Sequence, residues 1–425
     1  MDGDHQDIEV PHYFVCPISL HIMKDPVTAV TGITYDRDSI ERWLAKSRVA
    51  ATATCPVTKQ PLPRDSFLTP NHTLRRLIQA WCVTNAKNGV DRIPTPKAPL
   101  DAARVLRLVR DLQVEGLCLR TLKRLEELGL ENERNRRCMA EAGVAEAMVP
   151  LIIKFSREND DGLGESLRIF NWTWTSGCSE LKLLVQENNI LVDSLSWILQ
   201  NSNNMTVKSS AMAALKHVVE VANATLLDRL KPDTFKAIVN AVREVRNKTT
   251  TPLTQQLAPA GALVKSALKV FIDASPWGRN RQKIVEAGAV FELIELELEK
   301  PEQKRVSELI FDLLEQLCSC ADGREQLLGH AGGIAMLAKR TLRVSPAVDE
   351  RTVQIMAMVL QFSASKEVLM EMLKVGAVSK LCMVMQADCP ISLKNKARSI
   401  LRMHSSVWNN SPCITVYLLT RHPAR

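Results

Sequence analysis

The cysteine and histidine residues of the first 82 positions are the side chains that could bind a metal. A zinc cross-brace needs about eight Cys and His ligands, most of them in Cys-x-x-Cys pairs. Three cysteines and four histidines occur in this region, without such pairs: Cys16, Cys55, Cys82, His5, His12, His21 and His72. The sequence therefore predicts no metal site and no cofactor.

Cysteine chemistry without a metal also finds little support. A thiol becomes a nucleophile when a neighbouring base or cation activates it, and no residue near Cys16 supplies a base. The pair Cys318 and Cys320 lacks the second pair and the spacing of a zinc site, so ordinary helix thiols are the better interpretation. Cys16 is therefore not expected to act as a nucleophile.

A hairpin and a helix stand between the two Cys-Pro segments that begin at Cys16 and Cys55. Thr31-Gly32 separates the short apolar runs 27–30 and 33–35, which predicts a hairpin with positive φ at Gly32. Asp36 is placed to cap the helix that follows. A second helix with an apolar stripe is predicted after Asn71, its expected N-cap.

Composition and charge divide the chain into two parts. Residues 1–82 hold nine basic and nine acidic side chains, whereas the remainder carries 46 basic and 38 acidic ones and thus the whole formal charge of +8. Between them, Pro94, Pro96 and Pro99 mark residues 85–99 as a linker. The basic excess is spread thinly over many helices, which argues against nucleic-acid binding.

The compartment is predicted from the cysteines and from hydropathy. The chain has 11 cysteines, an odd number, and a polar, acidic start that is unlike a secretory signal. No stretch of 18 uncharged apolar residues occurs, so no membrane span is expected. We expect free thiols in a reducing compartment, the cytoplasm, with the nucleus left open.

A repeated pattern of helix, Gly break and apolar helix covers the later region. The break falls at Gly143, Asn189, Pro232, Gly288, Gly332 and Gly376. The intervals are 46, 43, 56, 44 and 44 residues, a period typical of armadillo or HEAT solenoids. A Gly or Asn at the break predicts a left-handed helix end, and the long interval predicts an insertion within residues 247–259.

These observations predict a mostly α-helical protein in which a small α+β module precedes an armadillo-type, right-handed α-solenoid with a concave groove. The predicted domains are 10–84, the linker 85–99, the solenoid 100–408 and a tail, 409–425. Without zinc, the module's loops must be held by hydrogen bonds and ion pairs. The candidates for this role are Asp25, Asp36, Arg37, Glu41, Thr58 and Arg75.

The first module resembles the U-box, over about 70 residues and in matching order. The segments that carry this likeness are Cys16-Pro17-Ile18-Ser19, Lys24-Asp25-Pro26-Val27, Gly32-Ile33-Thr34-Tyr35-Asp36-Arg37, Ile40-Glu41-Arg42-Trp43, Cys55-Pro56-Val57-Thr58-Lys59 and Leu68-Thr69-Pro70-Asn71-His72-Thr73-Leu74-Arg75. With the solenoid behind it, the chain resembles the short plant U-box armadillo-repeat E3 ubiquitin ligases.

The resemblance implies a zinc-free, RING-like U-box that docks a ubiquitin-conjugating enzyme (E2) charged with ubiquitin. It assigns the E2-binding patch to Ile18, Trp43 and Pro56, and we include Cys16. Two alternatives stay open: Trp43 as a core residue, since Ile40 shares its helix face, and Cys16 as a small buried hydrophobe.

Lys59 matches the position where many U-boxes carry an Arg that bridges E2 and ubiquitin, so we expect it to restrain ubiquitin. A lysine offers a flexible point charge in place of a rigid fork. The alternative is a solvated surface lysine.

The predicted function is therefore E3 ubiquitin ligation, with E2, ubiquitin and a protein substrate in the solenoid groove as partners. The competing hypothesis is a non-catalytic armadillo scaffold or adaptor with a degenerate U-box. A ligase that extends existing chains, and self-association of the U-box, both stay open. A role in stress or immune signalling is implied by the resemblance, and the positive solenoid predicts acidic or phosphorylated partners.

Overall fold

The computed structural model describes most of the chain in two compact units, Met1–Pro99 and Leu100–Arg425. The described residues are 10–46, 53–62, 68–86, 100–114, 116–158, 162–248, 257–299, 303–408, 411, 412 and 414. The predicted linker thus lies outside the described residues except at its first two positions, and so does most of the predicted tail.

The first unit is a small α+β fold. Its elements are a 3-10 turn (His12–Phe14), β1 (Pro26–Thr28), β2 (Thr34–Asp36), α1 (Arg37–Lys46), β3 (Ala53–Thr54), β4 (Pro61–Leu62), β5 (Thr69–Pro70) and α2 (His72–Thr84). Strands β2, β1 and β5 form one antiparallel sheet in that order, and β3 pairs with β4. The predicted hairpin is confirmed: Val27 pairs with Tyr35, and Gly32 has a φ of 78°.

The two predicted helix caps have different outcomes. Asn71 caps α2 as predicted, because its side chain accepts a hydrogen bond from the Leu74 amide. Asp36 does directly precede α1, but the bonds that its carboxylate accepts come from elsewhere. Its Oδ1 atom accepts the backbone N–H groups of Lys24 and Asp25, at 2.8 and 2.9 Å. Asp36 therefore ties the segment before β1 to the end of β2.

The second unit consists of helices. They are α3 (Ala102–Asp111), α4 (Cys118–Glu131), α5 (Glu133–Glu141), α6 (Val144–Glu158), α7 (Leu163–Thr173), α8 (Ser179–Glu187), α9 (Asn189–Asn201), α10 (Met205–Glu220), α11 (Ala224–Asp228), α12 (Pro232–Lys248), α13 (Leu257–Ala274), α14 (Gly278–Glu286), α15 (Ala289–Glu299), α16 (Lys304–Cys318), α17 (Ala321–Gly329), α18 (Gly333–Arg340), α19 (Pro346–Phe362), α20 (Lys366–Lys374), α21 (Ala377–Gln386), α22 (Ile391–Met403) and α23 (Ser405–Trp408).

These helices repeat in threes and form two layers. Each of α4, α7, α10, α13, α16, α19 and α22 packs on the next one of this series, which makes a first-helix layer. The series α6, α9, α12, α15, α18 and α21 packs in the same way and makes a third-helix layer. The buried side chains between them form one continuous apolar core. Each repeat buries its apolar faces against its neighbours, as in a solenoid.

The predicted left-handed breaks are confirmed at three positions and wrong at two. Gly143, Gly288 and Gly376 have φ values of 76°, 84° and 78°. Asn189 is instead the first residue of α9, where the side chain of Asn188 caps the helix. Gly332 has a φ of −99°. The glycine after it is needed for a different reason, because a Cβ there would lie 2.1 Å from the Leu327 carbonyl oxygen.

The longest repeat interval contains the α12–α13 connection. Helix α12 ends at Lys248 and α13 begins at Leu257, and residues 249–256 lie outside the described residues. The predicted insertion falls on this connection. Within the part of the chain that the structure describes, no helix has both the length and the apolar character to cross a membrane.

Candidate functional site

Two loops of the same construction lie at the surface of the first unit. In the first loop (residues 16–21), the Cys16 amide donates to the His21 carbonyl at 2.9 Å, and the Leu20 amide donates to the Cys16 carbonyl at 2.9 Å. An antiparallel bridge between Val15 and Ile22 closes the loop. The backbone thus forms a tight turn that projects the residues between its ends.

The second loop (residues 55–60) repeats these bonds. The Cys55 amide donates to the Gln60 carbonyl at 2.8 Å, the Lys59 amide donates to the Cys55 carbonyl at 3.0 Å, and the β3–β4 pair closes the turn. Leu20 and Lys59 occupy equivalent positions and both have a left-handed φ, 57° and 61°. Non-glycine residues adopt this conformation when surrounding bonds enforce it.

The predicted brace of ion pairs is largely present. Arg37 Nε contacts Asp25 Oδ2 at 2.6 Å, and the same guanidinium lies 3.8 Å from Glu41. Asp36 contributes the two bonds to the segment before β1. Arg75 differs from the prediction, since its side chain forms no ion pair with the described residues.

The sulfur atoms of both loops accept hydrogen bonds from strand β2 or from its turn. Asp36 donates its backbone N–H to Cys16 Sγ at 3.3 Å, and the Tyr35 hydroxyl lies 3.0 Å from Cys55 Sγ. Burial raises the pKa of Cys16, but N–H donors that include those of Ser19 and Asp36 outweigh it and hold the pKa below its ordinary value. Sequence reasoning missed this role of Tyr35 and of the two sulfurs.

A metal site would need several ligating side chains close together. Among the residues that the structure describes, no cluster of three or more His, Cys, Asp or Glu side chains could hold an ion. Hydrogen bonds and ion pairs are therefore the contacts that we find at the two loops.

The predicted patch residues are partly exposed. Trp43 is 36% exposed, and its indole Nε1 donates to the Thr54 carbonyl at 2.9 Å, next to the second loop. Ile40, on the same face of α1, is fully buried. Ile40 therefore belongs to the core and Trp43 to the surface. Pro56 is half-buried on the second loop, and Ile18, on the first, packs partly against the core of the unit. The alternative of Trp43 as a core residue is thus wrong.

Cys16 does not belong to this surface. Its side chain is fully buried, so the prediction of Cys16 as an E2 contact is wrong, and the alternative of a small buried side chain is correct. Because its sulfur accepts a hydrogen bond from β2, Cys16 shapes the first loop from inside.

Two exposed apolar side chains that the sequence reasoning missed extend the loops. Leu20 is 76% exposed and Val57 is 49% exposed. The similarity between the two loops is the sequence feature that could have identified them. Leu20 in the first loop is equivalent to Lys59 in the second. We define the docking surface as Ile18, Leu20, Trp43, Pro56 and Val57.

Lys59 is exposed at the end of the second loop. Its ammonium group donates to the Pro56 carbonyl at 3.0 Å, so the side chain folds back over its own turn. This places one positive charge beside the apolar residues of the loop.

Comparison with known proteins decides the family. Residues 10–87 match the model of the U-box domain, and residues 104–424 match the model of the plant U-box protein ARM repeat region. The chain belongs to the plant U-box armadillo-repeat proteins. Its U-box is the first unit, and its armadillo repeats are the helices of the second.

Relatives match the chain over its whole length. It is 40% identical to the E3 ubiquitin-protein ligase PUB24 of Arabidopsis thaliana, over 99% of this chain and 98% of that protein. It is 39% identical to PUB23, over 98% of both, and 36% identical to PUB22, over 99% of this chain and 100% of that protein; both are E3 ubiquitin-protein ligases of the same plant. The predicted enzyme class, a U-box E3 ubiquitin ligase, is confirmed.

Replacement of Asp36 by Ala tests how the U-box holds the segment before β1. The change leaves the amides of Lys24 and Asp25 without their charged acceptor, so we expect the free energy of unfolding to fall by about 3 kcal/mol. Hydrogen exchange of these two amides should accelerate. The control is Asp38→Ala, an exposed carboxylate in the first turn of α1, which should cost about 0.5 kcal/mol. Equal losses in the two variants would contradict the assigned role of Asp36.

Proposed function

We propose that the U-box docks an E2 charged with ubiquitin through the docking surface and promotes transfer of the ubiquitin to a substrate lysine. The observation that carries this proposal is the partly exposed Trp43, held against the second loop by its bond to Thr54. A fixed aromatic residue among exposed apolar neighbours is the usual anchor of a protein interface. A degenerate U-box in a pure scaffold would have no use for such an arrangement.

Ubiquitin transfer requires the U-box to bind the E2 and to orient its ubiquitin thioester. The substrate amine attacks the thioester carbonyl, and the E2 thiol leaves, so no residue of the ligase becomes covalently modified. Holding the two reactants in a productive geometry is itself a large source of rate acceleration. Lys59 is suited to restrain ubiquitin, because its ammonium group lies beside Pro56 on the second loop. Extension of existing chains would use the same surface.

The proposed substrate surface is the exposed side of the third-helix layer, which we call the third-helix face. Trp197 on α9, Phe291 on α15 and Met383 on α21 are large apolar side chains that remain exposed there. A cavity of about 350 Å³ opens beside α9. Its lining combines the apolar residues Val192, Leu226 and Leu230 with the polar and charged residues Asn189, Asp193, Arg229 and Lys231. Exposed aromatic residues and a cavity of this size suit the apolar side chains of a bound protein segment.

Charge on this face favours an acidic segment. Glu292 contacts Arg243 at 2.6 Å and Arg246 at 3.2 Å, and Arg246 also pairs with Glu295 and Glu299. Each of these three carboxylates is thus engaged in an ion pair within the protein, and two arginines balance two of the three charges. Two other positive charges are available to a partner. Lys154 on α6 and Lys339 on α18 are exposed and form no ion pair with the described residues. This supports acidic or phosphorylated substrates.

The proposed compartment is the cytoplasm, with the nucleus as the alternative. All ten cysteines among the described residues are free thiols, which suits a reducing environment. The role in stress or immune signalling stays a prediction, as does self-association of the U-box.

Reconstitution with E1, a panel of E2s, ubiquitin and ATP tests the proposed function. We expect the wild-type protein to form ubiquitin conjugates, and Ile18→Ala and Trp43→Ala to reduce their rate at least about tenfold, because both remove interface anchors. Val83→Ala, which truncates an exposed apolar residue of α2, is the control and should keep the wild-type rate. No conjugates with any E2 would refute the function, and full activity of both loop and helix variants would refute the site.

Lys59→Arg tests restraint of ubiquitin by the second loop. A planar guanidinium can bridge two partners at once, so we expect discharge of ubiquitin from the E2 to free lysine to rise by about threefold. Lys24→Arg, at an exposed position outside both loops, is the matched control and should change nothing. A flat or lower rate for Lys59→Arg would argue for a solvated surface lysine.

Trp197→Ala and Lys339→Glu test the third-helix face. In plant cells, the set of proteins that gain ubiquitin with the wild-type ligase should shrink with either variant, while ubiquitination of the ligase itself persists. The control is Lys265→Glu, an exposed lysine on α13 of the first-helix layer. If this control removes the same substrates, the third-helix face is not the binding surface.

A further inference from the structure

Three hydrogen-bond donors converge on one buried sulfur atom at the base of the second loop. The Tyr35 hydroxyl lies 3.0 Å from Cys55 Sγ, the Thr31 hydroxyl 3.4 Å and the Thr58 backbone N–H 3.4 Å. These donors come from β2, from the β1–β2 turn and from the loop itself. Cys55 therefore connects the hairpin to the loop that carries Pro56 and Val57.

The environment of Cys55 differs from that of another buried cysteine in the same unit. Cys82 on α2 is 1% exposed, and its sulfur forms no hydrogen bond with the described residues. Burial alone raises the pKa of Cys82. The two residues have the same size and similar burial, so they separate the effect of the hydrogen bonds from the effect of packing.

The groups that face the Cys55 sulfur favour its charged form. Burial raises the pKa of Cys55, but the bonds from Thr31, Thr58 and Tyr35 outweigh it and lower the pKa to about 6. Among these groups, Tyr35 is the one that titrates. Burial, together with its bond to Cys55, raises the Tyr35 pKa far above the ordinary value. The Tyr35 hydroxyl therefore stays protonated and donates over the whole working range.

We propose that Cys55 is a positioning residue for E2 binding: its buried sulfur, on which three donors converge, fixes the second loop in the shape that meets the E2. This inference rests on the proposed function. Pro56 directly follows Cys55 in the loop, and the left-handed Lys59 donates its backbone amide to the Cys55 carbonyl. A loop held at its base in this way is pre-organised, which lowers the cost of binding.

Protonation of the sulfur weakens this arrangement. A thiol carries a hydrogen of its own and is a weak acceptor, whereas a thiolate accepts all three bonds strongly. Because the pKa of Cys55 is about 6 in the folded protein, against an ordinary 9.0, the bonds contribute fully above the ordinary pKa. Their contribution is lost as the pH falls through the folded-state value. E2 binding depends on the folded protein alone, so it should fall as the pH passes through about 6.

The experiment measures binding of an uncharged E2 to the full-length protein from about pH 5 to about pH 9, beside the ultraviolet absorbance of the thiolate. Subtracting the absorbance of Cys55→Ser from that of the wild type isolates Cys55, and we expect its midpoint near pH 6. Wild-type affinity should decline with the same midpoint. Cys55→Ala should bind about tenfold more weakly above that midpoint, the scale of one lost bond to a charged acceptor.

Two further variants make the result decisive. Cys82→Ala removes the same atoms from the same core and should keep the affinity and its pH profile. Cys55→Ser keeps an acceptor that never ionises, so it should recover part of the affinity that Cys55→Ala loses and show no midpoint near pH 6. A wild-type protein that binds no E2 at any pH would refute the proposed function. Absence of the thiolate midpoint, or equal losses in the two alanine variants, would overturn the positioning role of Cys55.

Discussion

Strand β2 is the part of the U-box on which both loops depend. The Asp36 amide reaches Cys16 in the first loop, and the Tyr35 hydroxyl reaches Cys55 in the second. The Asp36 carboxylate also holds the segment before β1. Two residues of one short strand thus connect features that are distant in sequence. In a domain this small the apolar core is limited, so these polar bonds hold the two loops in place.

The armadillo unit is stabilised by the packing of repeated helices on their neighbours. Each three-helix repeat leaves apolar faces that only its neighbours can cover, and the two helix layers provide that cover along the whole unit. The exposed side of the third-helix layer is then free to vary. Trp197 uses that freedom at the surface, whereas Glu292 in the same layer is buried and paired with Arg243.

Sequence reasoning succeeds where a local pattern has a single physical meaning. The Asn71 cap, the Gly32 hairpin and the repeat period all follow from rules that act over a few residues or at a fixed interval. Sequence reasoning fails where a side chain bonds to residues that are distant in the sequence. Asp36 has the residue type and place of a cap but accepts bonds from eleven and twelve residues earlier. Cys16 is predicted as part of the E2-binding patch with burial as the alternative, and only the three-dimensional fold shows that it is buried.

The left-handed backbone at Leu20 and Lys59 has a consequence for how this domain can change. A glycine at either position would relieve a conformational cost of about 1 kcal/mol and so stabilise the loop. It would also delete a side chain from the surface that the loop presents. At these two positions, greater thermal stability would be gained by losing a surface side chain. Engineering for stability alone would therefore select against Leu20 and Lys59.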